Sequence, residues 1–269
     1  MNRSLFLPLA AAAVLLVAPG CKRSGSTAGG GAITVAGSTS VQPFVEKWAE
    51  SFGAKKAGAQ INVQGGGSTA GVKAAQTGAA HIGTVSRDLK PEEKGLHEIV
   101  VARDGIAVIV NPQSPASDLT LDQIRGLFSG QTKSWKDLGG PDKAITIITR
   151  EEGSGTRGAF EELVMKKERI ATSALVQDST GAVREMVHND PLAIGYISLG
   201  QVTDQVKALK LAGVEATEAN VLAGKYPLVR PFLFVMKAAP EGALKEFIDF
   251  VLSPEGQELI RKEGLIPAK

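Results

Sequence analysis

Three short stretches set glycine beside hydroxyl side chains directly after a strand-like run: Ala36-Gly37-Ser38-Thr39-Ser40, Gly65-Gly66-Gly67-Ser68-Thr69-Ala70-Gly71 and Gly153-Ser154-Gly155-Thr156. Each opens a helix-like segment. Glycine lets the backbone bend and come close to a ligand, while Ser and Thr cap a helix start and offer a hydroxyl. The first-turn amides of a helix have no partner within it, and its N-terminus carries roughly half a positive charge, which suits an anion. One such turn is ordinary punctuation between strand and helix. Three turns converging on one point would suit a small, doubly charged tetrahedral oxyanion, which needs many donors at once.

Other chemistries find less support. His81, His97 and His188 show neither the H-E-x-x-H motif nor another paired spacing, and a single cysteine cannot build a thiolate zinc site. Gly153-Ser154-Gly155 resembles part of a nucleophile turn, but the full G-x-S-x-G pattern is missing. A phosphoesterase using Ser154 would also need a general base and usually a metal, and the sequence offers neither. The third turn lacks the lysine of an NTPase phosphate loop. The sequence therefore predicts a protein that is not an enzyme and carries neither cofactor nor metal.

The elements that must position these turns alternate. ITVAG reads as a strand, SVQPFVEKWAESFGAKK as a helix with Val41, Phe44, Val45 and Trp48 on one face, INVQ as a second strand and HIGTV as a third. GIAVIVNPQSP is an apolar strand stopped by Asn111-Pro112. TLDQIRGLF then reads as a helix, AITIITR as a strand and EELVMKK as a helix. YPLVRPFLFVMK returns as a strand in which Pro227 and Pro231 limit hydrogen bonding, ahead of two closing helices. The fold class is α/β, and sheets of this kind bind ligands at the carboxyl ends of their strands. The parsimonious organisation is two lobes, the second inserted into the first, with crossings near residues 109–113 and 227–231. That gives one lobe from residues 32–109 and 230–269 and another from 110–229.

The chain has 269 residues, and 30 Lys and Arg against 28 Asp and Glu give a formal charge of +2. No basic stripe suggests a nucleic-acid partner. Residues 1–20 read as an export signal: Arg3, an apolar run from Leu5 to Val17, then small residues before Cys21. Ala18-Pro19-Gly20-Cys21 resembles a bacterial lipobox, which predicts lipidation of Cys21 and attachment to a membrane. Residues 22–31, rich in Ser and Gly, then serve as a flexible tether.

AGSTSVQP, QGGGSTAG, IGTVSRDL, REEGSGTR and YPLVRPFLF, in this order, resemble the PstS-type phosphate-binding lipoproteins, the receptor components of ABC phosphate importers. The resemblance spans essentially the whole exported chain. It implies a type II periplasmic-binding-protein fold, with two lobes closing like a Venus flytrap on one inorganic phosphate. The receptor would be a monomer in the periplasm or at the cell surface and would deliver phosphate to ABC permease subunits. Carried over by position, the phosphate ligands fall on Ser38, Thr39, Ser40, Ser68, Ser86, Arg150, Ser154, Gly155 and Thr156. Arg150 would add a guanidinium fork matched to an oxyanion.

Supporting positions are Arg87, Asp88 and Glu152. Glu152 resembles the family position that pairs with the arginine and damps its charge. Arg87 would either reach the ligand or brace its loop. Some family members carry an aspartate where Ser86 stands, accepting the proton that phosphate keeps and sulfate lacks, and repelling sulfate by unpaired charge. Whether Asp88 or Glu152 takes over that task is left open by the sequence. Receptors for sulfate, molybdate or tungstate, and a phosphate sensor without a transporter, are the alternative readings.

Overall fold

The computed structural model describes residues 32–268. The expected export signal, the lipidated Cys21 and the tether of residues 22–31 lie outside the described residues. The first strand-turn-helix units are β1 (Ile33–Gly37), α1 (Gln42–Lys55), β2 (Ile61–Gly65), α2 (Ser68–Thr77) and β3 (Ile82–Val85). A single long strand, β4 (His97–Val110), leads into β5 (Asp118–Leu119), α3 (Leu121–Phe128), β6 (Thr146–Arg150), α4 (Gly155–Phe160) and β7 (Leu175–Gln177). These are followed by α5 (Thr180–Asn189), β8 (Ala193–Ser198), β9 (Lys207–Ala208), β10 (Lys210–Leu211) and α6 (Glu218–Leu222). The chain returns through β11 (Val229–Met236) and closes with α7 (Gly242–Leu252), α8 (Pro254–Arg261) and β12 (Ile266–Pro267).

The main strands run in the order β2-β1-β3-β11-β4-β8-β6-β7. β1 lies parallel to both β2 and β3, and β6 parallel to both β7 and β8. β4 belongs to two neighbourhoods. Its residues His97–Gly105 pair antiparallel with β11, and Ile106–Val110 pair antiparallel with β8. Two α/β lobes result, joined where β4 and the start of β11 run side by side. β4 changes partners between Gly105 and Ile106, a few residues ahead of the expected crossing near residues 109–113. Asn111-Pro112 ends the strand, but the partners change earlier, where the apolar run begins just after Arg103-Asp104-Gly105.

β4 from Asp104 onward and most of β11 are buried on two faces, so their side chains alternate between different cores. Phe232, Phe234 and Met236 of β11 pack with Phe44, Trp48, Phe52 and Phe247 of α1 and α7. Leu233 and Val235 face the other way, onto Val72 and Ala75 of α2. In β4, Ile106, Val108 and Val110 join a core with Phe128, Phe160 and Tyr196, while Ala107 and Ile109 meet Val183 and Val187 of α5. Each fully buried side chain of this size contributes about 1.5–3 kcal/mol. Pro231 has no N–H to give the ladder, and the β4–β11 register shifts just after it, between Phe232 and Leu233.

The helix expected over EELVMKK takes another form. After α4 the residues Glu161–Met165 widen into a π-helix, which ends at Lys166 with φ 58°. Trp48 and Trp135 are both core residues, and their indole N–H groups donate to Gly256 O at 2.7 Å and Leu192 O at 3.0 Å. Among the described residues no helix is long and apolar enough to cross a membrane.

Candidate functional site

The three glycine-hydroxyl turns sit at the carboxyl ends of β1, β2 and β6, where the strand ladder stops and a helix begins. Ser38, Ser40, Ser68, Ser86, Arg150, Ser154 and Thr156 are all buried. In the first lobe the Ser38 hydroxyl donates to Ser86 Oγ at 2.9 Å, and the Ser86 amide donates to Ser68 Oγ at 3.1 Å. Ser86 therefore ties two of the turns together. Hydroxyl hydrogens rotate to suit their partners, so each of these groups can turn to donate to an anion.

The second lobe closes directly onto this set. Ser40 Oγ lies 2.7 Å from Thr156 Oγ1 and 3.0 Å from Thr180 Oγ1, and the Thr69 amide donates to Gly153 O at 3.1 Å. The Gln201 side-chain amide donates to Ser40 O at 2.8 Å. Gly155 makes the approach possible. A Cβ at that position would lie 2.1 Å from Ser68 Oγ and 2.6 Å from Ser86 Oγ. Ser154 plays a different part: its side chain accepts from the Arg157 amide at 3.2 Å, capping α4.

Arg150 ends β6 with every guanidinium nitrogen engaged. Nη1 donates to Thr180 Oγ1 at 3.2 Å, and Nη2 reaches across to Thr39 Oγ1 at 3.1 Å. Nε and Nη2 hold the Glu151 carboxylate at 2.9 and 3.0 Å. The carboxylate pairing with Arg150 is thus Glu151, which corrects the expectation for Glu152. The chain bends immediately after the strand, leaving the adjacent residue beside the guanidinium edge. Glu152 is carried outward into a solvent-exposed groove with Lys90, Arg157 and Lys166.

Behind Arg150, Tyr196 OH lies 2.7 Å from Thr149 Oγ1 and accepts a long bond from the Arg150 amide. Burial pushes the phenol pKa up to about 12, so the backing of the site is a neutral hydroxyl. Phe160 stacks on the Tyr196 ring at 4.0 Å between centroids. The second core thereby fixes the end of β6.

Arg87 braces its own loop. Its guanidinium holds Glu93 by two bonds of 2.6 and 2.7 Å and donates to Asp88 O at 2.9 Å. Burial pushes the Glu93 carboxyl up, but the bonds from Arg87 and the Lys90 amide outweigh it and hold the pKa below the ordinary range. Asp88 is exposed and stands outside the hydroxyl cluster. Neither Asp88 nor Glu152 brings a carboxylate to the Ser86 hydroxyl.

Sequence reasoning missed Thr180, which is buried and bonded to both Ser40 and Arg150. The signal was present, since Asp178-Ser179-Thr180-Gly181 also follows a strand and opens a helix. It differs in putting the hydroxyls before the glycine, after a three-residue strand with exposed Leu175 and Val176. Glu151 and Gln201 were missed as well.

Among the described residues no group of three His, Cys, Asp or Glu side chains could hold a metal ion. The cluster is a set of hydroxyl and amide donors around one charge-paired guanidinium, contributed by two lobes. These features define a two-lobed binding protein. A family model for the PBP superfamily domain matches residues 22–255. The phosphate-binding protein PstS of Bacillus subtilis is 33% identical over 286 aligned residues, covering 99% of this chain and 94% of that protein. The chain belongs to the PBP superfamily, among the PstS-type phosphate-binding proteins.

Solved structures carry the same architecture, the type II periplasmic-binding-protein fold. A Clostridium perfringens protein assigned as a phosphate ABC transporter substrate-binding protein, with phosphate bound, is 46% identical with a TM-score of 0.86. The match covers 88% of this chain and all of that one. An ABC-type phosphate transport receptor from Vibrio cholerae is 37% identical with a TM-score of 0.73, covering 87% of this chain and 99% of that one.

Proposed function

We propose that this protein is a phosphate receptor which closes on one inorganic phosphate and presents it to the permease of an ABC importer. The observation that carries this reading is the convergence of donors from both lobes, all buried except the half-buried Thr39: Ser38, Thr39, Ser40, Ser68 and Ser86 from one, Arg150, Gly155, Thr156 and Thr180 from the other. Ser154 contributes through the cap of α4. Phosphate gains its second set of hydrogen bonds only when the lobes meet, so binding favours the closed form. The lobes divide, on this reading, at Gly105–Ile106 and at Leu228–Val229. The receptor works as an exported monomer, tethered by a lipid on Cys21, in the periplasm or at the cell surface. It binds and releases its ligand without transforming it.

Calorimetric titration of the exported chain with phosphate, sulfate and arsenate tests this. Phosphate should bind with a Kd of about 1 μM or tighter, the range of −8 kcal/mol and beyond. No binding of any oxyanion would overturn the reading. The same titration addresses a second one. The acceptor side of the cluster holds serine hydroxyls instead of a free carboxylate, with Glu151 tied to Arg150, and a hydroxyl repels sulfate weakly. Sulfate binding comparable to phosphate would make this a broader receptor for tetrahedral oxyanions.

A further inference from the structure

A buried ion pair lies at the joint between the lobes. Asp104 of β4 and Arg230 of β11 are cross-strand partners, and both are almost fully removed from solvent. Arg230 Nε and Nη2 donate to Asp104 Oδ2 at 3.0 and 2.8 Å. Its third nitrogen leaves the pair: Nη1 donates to the backbone carbonyl of Ser86 at 3.1 Å. That same residue donates its amide to Ser68 Oγ and accepts from the Ser38 hydroxyl. One guanidinium therefore grips the peptide that ties two of the donor turns together.

The other side of the pair reaches the opposite lobe. Asp104 Oδ1 accepts from Ser198 Oγ at 2.9 Å, and the Gly200 amide also donates to this carboxylate. Asp104 precedes the change of partners at Gly105–Ile106, whereas Ser198 ends β8 in the second lobe. The short segment from Ser198 to Gln201 touches the first lobe again, with Gly200 against Phe44 and the Gln201 side chain on Ser40 O. Rotation about the joint must change these distances.

Desolvating two charges is costly, and an apolar pair of similar size commonly packs as well, so a buried ion pair is not itself a source of stability. Here burial pushes the Asp104 carboxyl up and the Arg230 guanidinium down, and nearby Arg150 further disfavours the Arg230 charge. A compensating role must lie in what the pair holds. We propose that Arg230 is a positioning residue for oxyanion capture, fixing the Ser86 peptide through Nη1 and linking it to lobe closure through Asp104 and Ser198. The inference rests on the phosphate-receptor reading.

Phosphate titration of the full exported chain, with rates from stopped flow and interlobe distance from fluorescence energy transfer, tests it. Arg230→Lys keeps a charge for Asp104 but loses the fork, and should weaken phosphate about tenfold or more, the range for a bond to a charged group. In a Ser86→Ala background, with the hydroxyl it positions already gone, the same change should have a much smaller effect, a coupling that general destabilisation does not produce. Ser198→Ala leaves the ion pair intact and should shift the phosphate-free distance towards the open form.

Arg230→Lys binding phosphate as wild type does, or losing the same factor with and without the Ser86 hydroxyl, would overturn the inference and leave the receptor reading standing. Should Arg230→Lys fail to fold, Ser198→Ala decides: an unchanged interlobe distance rejects the link to closure. A wild-type chain that binds no phosphate removes both readings together.

Discussion

Arg87 and Arg150 are alike at short range and differ in what lies beyond. Arg87 lies just past β3 and Arg150 ends β6, each is buried, and each holds a glutamate by two charge-assisted bonds. The partner of Arg87 lies in the same loop, and its further bonds are to Asp88 O and, weakly, to Thr69. Arg150 turns its remaining nitrogen, Nη1, to Thr180, and Nη2 also reaches across the cleft to Thr39. A paired carboxylate does not distinguish a brace from a ligand-facing arginine. The hydroxyls of the opposite lobe do.

Arg87→Met breaks the comparison most severely. It leaves Glu93 buried without its cation and should cost about 3–5 kcal/mol of stability in urea unfolding. The folded fraction should bind phosphate with near wild-type affinity, and a large loss there would make Arg87 a ligand after all. Arg150→Ala should do the reverse, weakening phosphate by about 2 kcal/mol, roughly thirtyfold in Kd by calorimetry. Unchanged affinity would remove Arg150 from the site. Thr180→Val retains the volume and loses the hydroxyl shared by Ser40 and Arg150, so a deficit of about 1 kcal/mol in binding is expected. Equality with wild type would leave Thr180 a core residue.

The smallest effect sharpens the contrast through pH. Because the Glu93 pKa is held low in the folded chain, its contribution is complete above the ordinary carboxylate range and is lost as pH falls through the lowered value. Glu93→Gln should therefore flatten the acid limb of the stability curve. A limb of the same slope in wild type and variant would place the acid sensitivity elsewhere.

Much of the frame was legible because it is local. β-branched runs, glycines and hydroxyl caps announce strand-to-helix turns through backbone freedom and capping, which need no knowledge of the rest of the chain. What escaped was set by tertiary contact. Residues 97–104 begin β4 with mixed polarity and exposed side chains, so no periodicity marked them as the start of the strand that later becomes apolar. The choice of Glu151 over Glu152 depends on the bend after β6, and the pairing of Asp104 with Arg230 depends on two strands 126 residues apart. Nothing in EELVMKK announces a π-helix, since its residues suit an ordinary helix equally well.

The neutral phenol behind Arg150 has a consequence for acid-base behaviour. Burial holds the Tyr196 proton until about pH 12, so the group behind Arg150 stays a neutral hydroxyl across the neutral range. His81 and His188 are occupied elsewhere, at the Thr34 amide and the Gln205 carbonyl. The wall behind Arg150 thus keeps the same proton across the neutral range. A change in capture strength across the neutral range would therefore not originate in that phenol.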